Sequence, residues 1–343
     1  MAFQRVSGFQ ALVVENLGGR RFRGRQLNVT PPQIHRKPAR DNQNKISVQL
    51  LEWEDLPAWK QRGSEHLRTG YRPECDSLCS CLRSWLYIHN ETVNIFSHIV
   101  GAITFFALPI YVFGIEVPPR YKLATMADFL VCSTYFLGVG ICFTFSTLFH
   151  TFMCHSEVVY SLGVKLDYQG ILLLMWGANV PLIYYSMPCD LGEQAAYWTL
   201  NTTLAGLCSF ATFHPSIGGP HLGHVRAGLF ATFGFCSVIA PILIGILKHG
   251  FEEQSRRVGL AWIGATALFN GLGVIVYALK FPERWYPRTF DLFGASHQLM
   301  HIMVVLAALT YTEAMMQAFD FHHQYAGACA EHISHSNLIN FFG

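Results

Sequence analysis

Apolar residues dominate seven stretches of this chain: 93–115, 125–150, 164–187, 195–214, 227–247, 258–279 and 294–316. Each is close to the ~20 residues that the hydrocarbon core of a bilayer requires of a helix. The pattern predicts an all-α membrane protein, a seven-transmembrane helix bundle occupying 92–316, with short connections that make successive helices antiparallel neighbours. Asp167 and Gln169 interrupt the third stretch near its start. Pro181 and Pro241 fall inside their stretches, where neighbouring helices can satisfy the backbone groups that proline frees. Residues 1–46 are polar, basic and rich in Gly, Asn, Gln and Pro, and read as a disordered cytosolic tail. In the cytosolic, interfacial region 47–91, Leu78, Leu82, Trp85 and Leu86 recur at helical spacing after Asp76–Ser77, which predicts a short amphipathic helix on the membrane surface. Trp53, Trp59 and Trp85 suit the same zone. Residues 317–343 read as a C-terminal tail.

Composition agrees with the pattern. The chain is 51% hydrophobic and only 13% charged, against about a quarter charged in soluble domains. Its net charge of +2 hides an asymmetry: fourteen of the 24 lysines and arginines precede residue 91, and none follows Arg288. With a cytosolic N-terminus, 19 of them lie in inside segments and 5 in outside segments, so the positive-inside rule predicts an outside C-terminus, with the long tail deciding the balance. The N-terminal run lacks the order of a cleavable leader, so the first span is expected to act as its own insertion signal. The product is an integral multi-pass protein of the plasma membrane or an endomembrane, with no nucleic-acid partner. Ten cysteines show no disulfide framework. Cys75, Cys79 and Cys81 could hold a metal but lack a second Cys/His pair, and reduced thiols or a lipid attachment point account for them as well.

The chemistry sits in FSTLFHTF and GASHQLMHIM. Ser146 and His150, and again His297 and His301, are spaced i, i+4, so each pair shares one helix face. Histidine and aspartate inside a membrane need a partner, a cavity or an ion. With alternating spans, Ser146, His150, Asp167, His297 and His301 arrive at one depth near one membrane face, although up to 155 positions separate them. His150, His297 and His301 suit a zinc ion (Zn2+) with a water in the fourth position. Asp167 could hold that water or accept its proton, and Ser146 could bond the water or a developing oxyanion. His98, beside Asn94 and Ser97, reads as a packing or interhelical residue. His214, His221 and His224 read as solvated loop residues, and His322, His323, His332 and His335 as part of a flexible tail. The sequons at Asn28, Asn90 and Asn201 read as unused.

GYRP (70–73), HNETVNIFSHIVG (89–101), STLFHTFMCHS (146–156), LDYQGI (166–171), FPERWYP (281–287) and SHQLMHI (296–302) together resemble the progestin and adipoQ receptor family, which includes adiponectin receptors and haemolysin III-like proteins. The resemblance spans roughly 50–316 and has the style of a fungal member close to the adiponectin-receptor branch. It implies a seven-span protein with a cytosolic N-terminus, zinc near the cytoplasmic side, and an interhelical cavity for a long acyl chain. The family's serine and histidine of the second span fall on Ser146 and His150, its aspartate on Asp167, and its last two histidines on His297 and His301. Some members are associated with ceramide hydrolysis, and alkaline ceramidases carry a similar residue pattern.

Three functions follow as expectations. The first is a zinc-dependent lipid amide hydrolase acting on a ceramide-like membrane lipid, releasing sphingoid base and fatty acid and influencing lipid and zinc homeostasis. The second is a signalling receptor with purely structural zinc and an extracellular ligand. The third is a haemolysin III-type channel, disfavoured because a conduction path needs polar residues across the full depth. Polarity here gathers at the inner ends, with only scattered polar groups such as Asn179, Asn201 and Asn270 deeper.

Overall fold

The computed structural model describes residues 49–61, 65–75, 77–115, 122–187, 190–214 and 222–325. The expected tail 1–46, Asp76, and the histidines at 221, 332 and 335 lie outside them. A short helix α1 (Leu78–Arg83) precedes the long ones: α2 (Thr92–Ile110), α3 (Met126–Phe152), α4 (Glu157–Ser186), α5 (Leu191–Phe213), α6 (Gly223–Gly234), α7 (Ala240–His249), α8 (Phe251–Val258), α9 (Leu260–Leu279) and α10 (Ser296–Tyr325). A π turn at Tyr111–Ile115 extends α2, and another at Phe235–Ile239 joins α6 to α7. Among the described residues there is no strand, only an isolated bridge between Leu51 and Tyr71.

Six helices are long and apolar enough to cross a membrane: Thr92–Gly114, Met126–Phe152, Glu157–Ser186, Gly228–His249, Leu260–Leu279 and Ser296–Gln324. The helix at the expected fourth span, α5, is 23 residues long but too polar to stand with them. Glu193, Gln194 and Asn201 account for much of that polarity, and the latter two are buried against neighbours. Asn179 donates to Asn201 at 3.2 Å, and Asn201 donates to the Trp176 carbonyl at 3.3 Å, so the deep polar residues of α4 and α5 are tied to each other, with Asn179 Oδ1 left unpartnered. Outward faces are apolar, with Val100, Ile103, Leu247, Leu268 and Ile275 exposed. This is the surface of an integral multi-pass membrane protein.

Helix limits depart from the hydropathy pattern in two places. α4 begins at Glu157, not 164, because Ser156 caps it by accepting the Val159 amide, so Asp167 stands in the third turn, not the first. Hydropathy marks the lipid-matched segment, whereas the cap marks the helix. α10 runs to Tyr325, carrying 317–325 into the helix. His322 and His323, read from sequence as tail, are helical, and His323 meets the buried Asp128 at 3.1 Å. Asp128 also takes the Tyr185 hydroxyl at 2.9 Å and the Thr125 amide at 2.8 Å, which ties α3, α4 and α10 together at the end remote from the three histidines.

Between the two ends lies a core of Phe105, Tyr135, Phe136, Phe143, Tyr185 and Phe319. α3 and α4 approach most closely. A Cβ on Gly177 would meet the Thr134 carbonyl oxygen at 2.3 Å, and one on Gly170 would meet Cys142 Cα at 2.9 Å. Small residues at such contacts let membrane helices approach backbone to backbone. Gly177→Leu is therefore expected to lower the melting temperature in detergent, as an overpacked interface costs about 1–3 kcal/mol or more. Gly206→Leu, where nothing lies within 4 Å, should leave it unchanged. Equal melting of the two variants would refute the close-approach account.

Candidate metal centre

The segment HNET builds the first wall of the site. Burial, followed by the Arg72 charge, lowers His89 to about 4, so its ring is neutral and Nδ1 accepts the Glu91 amide at 3.1 Å. Thr92 Oγ1 accepts the His89 amide at 2.9 Å. These bonds occupy backbone donors that a helix start otherwise leaves open, and they aim Glu91 inward from the mouth of α2. Asn94 Nδ2 donates to Glu91 Oε2 at 2.6 Å. Burial alone would raise the Glu91 carboxyl. The facing His150 and His297 rings and the Asn94 amide outweigh it and hold the group well below the usual carboxylate range. Glu91 is an anion at neutral pH.

His150 comes from the last turn of α3 and puts Nδ1 2.7 Å from Glu91 Oε2. A carboxylate only accepts, so the proton sits on Nδ1 and the lone pair on Nε2 is free. The end of α3 is held by Arg72, which donates to the carbonyls of His150 and Thr151 and to Ser84 Oγ. A cation there also suits the negative end of the helix dipole.

His297 and His301 come from the first two turns of α10. Buried Glu283 fixes that start by accepting the Ser296 amide at 2.8 Å and also the Ser296 hydroxyl. Gln298, between the two histidines, donates to the Asn90 and Leu292 carbonyls and accepts the Gly294 amide. His301 Nδ1 is 3.3 Å from the Asn94 carbonyl, which again places the proton on Nδ1 and leaves Nε2 free. His98 stacks on His301 with ring centroids 3.8 Å apart, the packing role expected of it, and neither of its own nitrogens has a bonding partner.

The ligand nitrogens of His150, His297 and His301 all lie within 4.8 Å of one another, and the Nε2 atoms of His150 and His297 are 3.3 Å apart. Zinc–nitrogen bonds of about 2.0–2.1 Å place two ligands of a tetrahedron about 3.3–3.4 Å apart. The donor set and its spacing fit zinc. Glu91 and the Asn94 carbonyl stand behind two of the rings as the outer partners that set tautomer and raise ligand basicity. Asp167 is half-buried, with His150 and the buried Ser146 among its neighbours. Of the five residues singled out from sequence, the three histidines converge, and Asp167 and Ser146 lie beside them. The sixth, Glu91, escaped that reading because it precedes α2 and no helical periodicity could aim it.

A sequence model of haemolysin-III related proteins matches residues 86–312, more than half of the chain. The chain belongs to the haemolysin III-related family, that of the progestin and adipoQ receptors. This haemolysin III-related protein is 35% identical over 265 residues to "Adiponectin receptor protein" of Drosophila melanogaster, covering 77% of this chain and 58% of the fly protein. It is 30% identical over 279 residues to "ADIPOR-like receptor IZH2" of Saccharomyces cerevisiae, covering 81% of this chain and 87% of the yeast one. It is 28% identical over 297 residues to "Progestin and adipoQ receptor family member 3" of Mus musculus, covering 84% of this chain and 91% of that protein.

In this haemolysin III-related chain the Glu91–His150 bond gives a direct test. Glu91→Gln should weaken zinc affinity about 10–100-fold, the usual cost of losing such an outer partner, as read by competition with a metal chelator. Wild-type affinity in that variant would show that Glu91 does not act on the site.

Proposed function

We propose that this protein is a seven-span, receptor-like zinc hydrolase of a ceramide-like lipid amide, with its N-terminus in the cytosol and α5 as the fourth span. The observation that carries the reading is the ligand set. Three histidines converge, and among the described residues no fourth His, Cys, Asp or Glu joins them. Structural zinc sites are closed by four protein ligands, whereas catalytic sites keep one position open. A nearby carboxylate outside the ligand set supports the same reading.

His150, His297 and His301 would hold the zinc. When bound, the ion supplies Lewis acidity, polarising an amide carbonyl and bringing a water to a pKa of about 7. Asp167 accepts the proton of the attacking water and returns it to the leaving amine, so that water adds across the C–N bond to give a fatty acid and a sphingoid base. Ser146 orients Asp167 and offers its hydroxyl to the carbonyl oxygen as charge develops there. Glu91 keeps the His150 ring in the tautomer that can bind metal.

A receptor role is compatible with this chemistry, because a released lipid can itself be the signal. The names of the relatives, two of them adiponectin receptor-like, support that role. A channel is supported less, since Asn179 and Asn201 are buried and bonded to each other between α4 and α5.

The test uses purified protein in lipid nanodiscs, with zinc content and fatty-acid release from ceramide measured on the same samples. His297→Ala/His301→Ala should lose both. Asp167→Asn should keep the metal and lose release about 10²–10⁴-fold, the share typical of a positioned acid–base group. Undiminished release from the double variant would sink the mechanism. Zinc retained by a wild type that releases nothing would favour a receptor with structural metal.

A further inference from the structure

A second cluster of metal-ligating side chains lies outside the histidine site. Cys75 belongs to the segment after Arg72, Cys81 to α1, and Cys154 to the chain just beyond α3. Their Sγ atoms converge: Cys75 to Cys154 at 3.2 Å, Cys154 to Cys81 at 3.7 Å, and all three within 4.8 Å of one another. The sequence grouping of Cys75, Cys79 and Cys81 is only partly kept. Cys79 is exposed on the far side of α1, and Cys154, 73 positions after Cys81, takes its place.

The cluster is built and not incidental. The Cys75 amide donates to the Cys154 carbonyl at 3.1 Å, which fixes the two strands of chain against each other. Cys81 and Cys154 are buried, while Cys75 is partly exposed and leaves a route of entry. Trp85 Nε1 donates to Thr151 Oγ1 at 3.1 Å and Arg72 bridges Ser84 to Thr151, so the C-terminal end of α1 is pinned to the end of α3 beside the thiols. Positive charge surrounds them: Arg72 is buried alongside, and Lys60 places its ammonium on the Arg72 carbonyl at 3.5 Å. Three thiolates carry more negative charge than one metal ion offsets, and these two cations supply the balance.

We propose that Cys75, Cys81 and Cys154 form a trithiolate site for a thiophilic closed-shell metal ion, Zn(II) or Cu(I). Thiolate ligands select these ions over hard cations. Metal–sulfur bonds of about 2.3 Å place tetrahedral ligands about 3.8 Å apart; Cys154 to Cys81 at 3.7 Å matches that spacing, and Cys75 to Cys154 at 3.2 Å needs to open by about half an ångström to reach it. Binding releases the thiol protons to solvent. The site stands independently of the histidine centre.

Full-length protein carrying His297→Ala/His301→Ala, reduced and stripped of metal in detergent, is titrated with Co(II) as a coloured stand-in for zinc, and anaerobically with Cu(I). About one equivalent should bind with a sulfur-to-metal charge-transfer band, because deprotonated thiols are the ligands. The band should vanish in Cys154→Ser and in Cys81→Ser and persist in Cys79→Ser. Zn(II) bleaching the Co(II) band assigns the site to zinc, and Cu(I) retention against a copper chelator without zinc competition assigns it to copper. The same titration on the otherwise wild-type chain should lose one equivalent on Cys154→Ser, which guards against misfolding of the histidine variant. Absence of a sulfur band, a band unchanged by Cys154→Ser, or a Cys75–Cys154 disulfide that survives reductant would overturn the proposal.

Discussion

Three imidazole nitrogens turned toward one another inside an apolar bundle are the constraint on which the rest of the structure depends. Lone pairs that converge in a low-dielectric interior repel, and each ring is held there only if its other nitrogen is committed elsewhere. Glu91 commits His150, and the Asn94 carbonyl commits His301. Arg72 then fixes the helix end that carries His150, and Glu283 the helix start that carries His297. Glu91 and Asn94 share one sequence motif while Arg72 and Glu283 come from two others, so the motifs record one cooperative polar network more than a set of separate ligands.

The network also explains why so much structure outside the spans is ordered. Asp291 accepts the Arg68 and Thr69 amides at 3.0 and 2.7 Å, and Gln298 reaches the Asn90 carbonyl at 3.0 Å. These bonds draw the segment before α2 against the loop before α10. Leu78, Leu82 and Leu86 stay exposed on α1 and its continuation, an apolar edge suited to the lipid boundary. The histidine centre is thus roofed by polypeptide on one side and closed by the aromatic core on the other.

Much of this was legible in the chain. Spacing of i, i+4 showed which side chains share a face, and alternation of spans showed which helix ends meet, so His150, His297, His301, Ser146 and Asp167 could be grouped before any coordinates. Glu91 could not, because its direction is set by two backbone bonds at a helix mouth and its partner lies 59 positions away. Cys154 was hidden for the same reason: its companions come from a loop and a short helix with no shared periodicity. The start of α4 was misplaced because polarity at Lys165, Asp167 and Gln169 masks a well-capped helix. His322 and His323 were misjudged as tail because composition does not reveal that Asp128 waits for His323.

The pairing of Asn179 with Asn201 has a bearing on how the protein is made. Trp176 Nε1 reaches Thr202 Oγ1 at 3.1 Å, and Trp198 Nε1 reaches the Val180 carbonyl at 3.3 Å, so five polar side chains of α4 and α5 find these partners only when the two helices lie together. As the proposed fourth span, α5 presented alone to a lateral gate is a reluctant passenger. Its lipid compatibility is a property of the hairpin, acquired when α4 is already there to receive it.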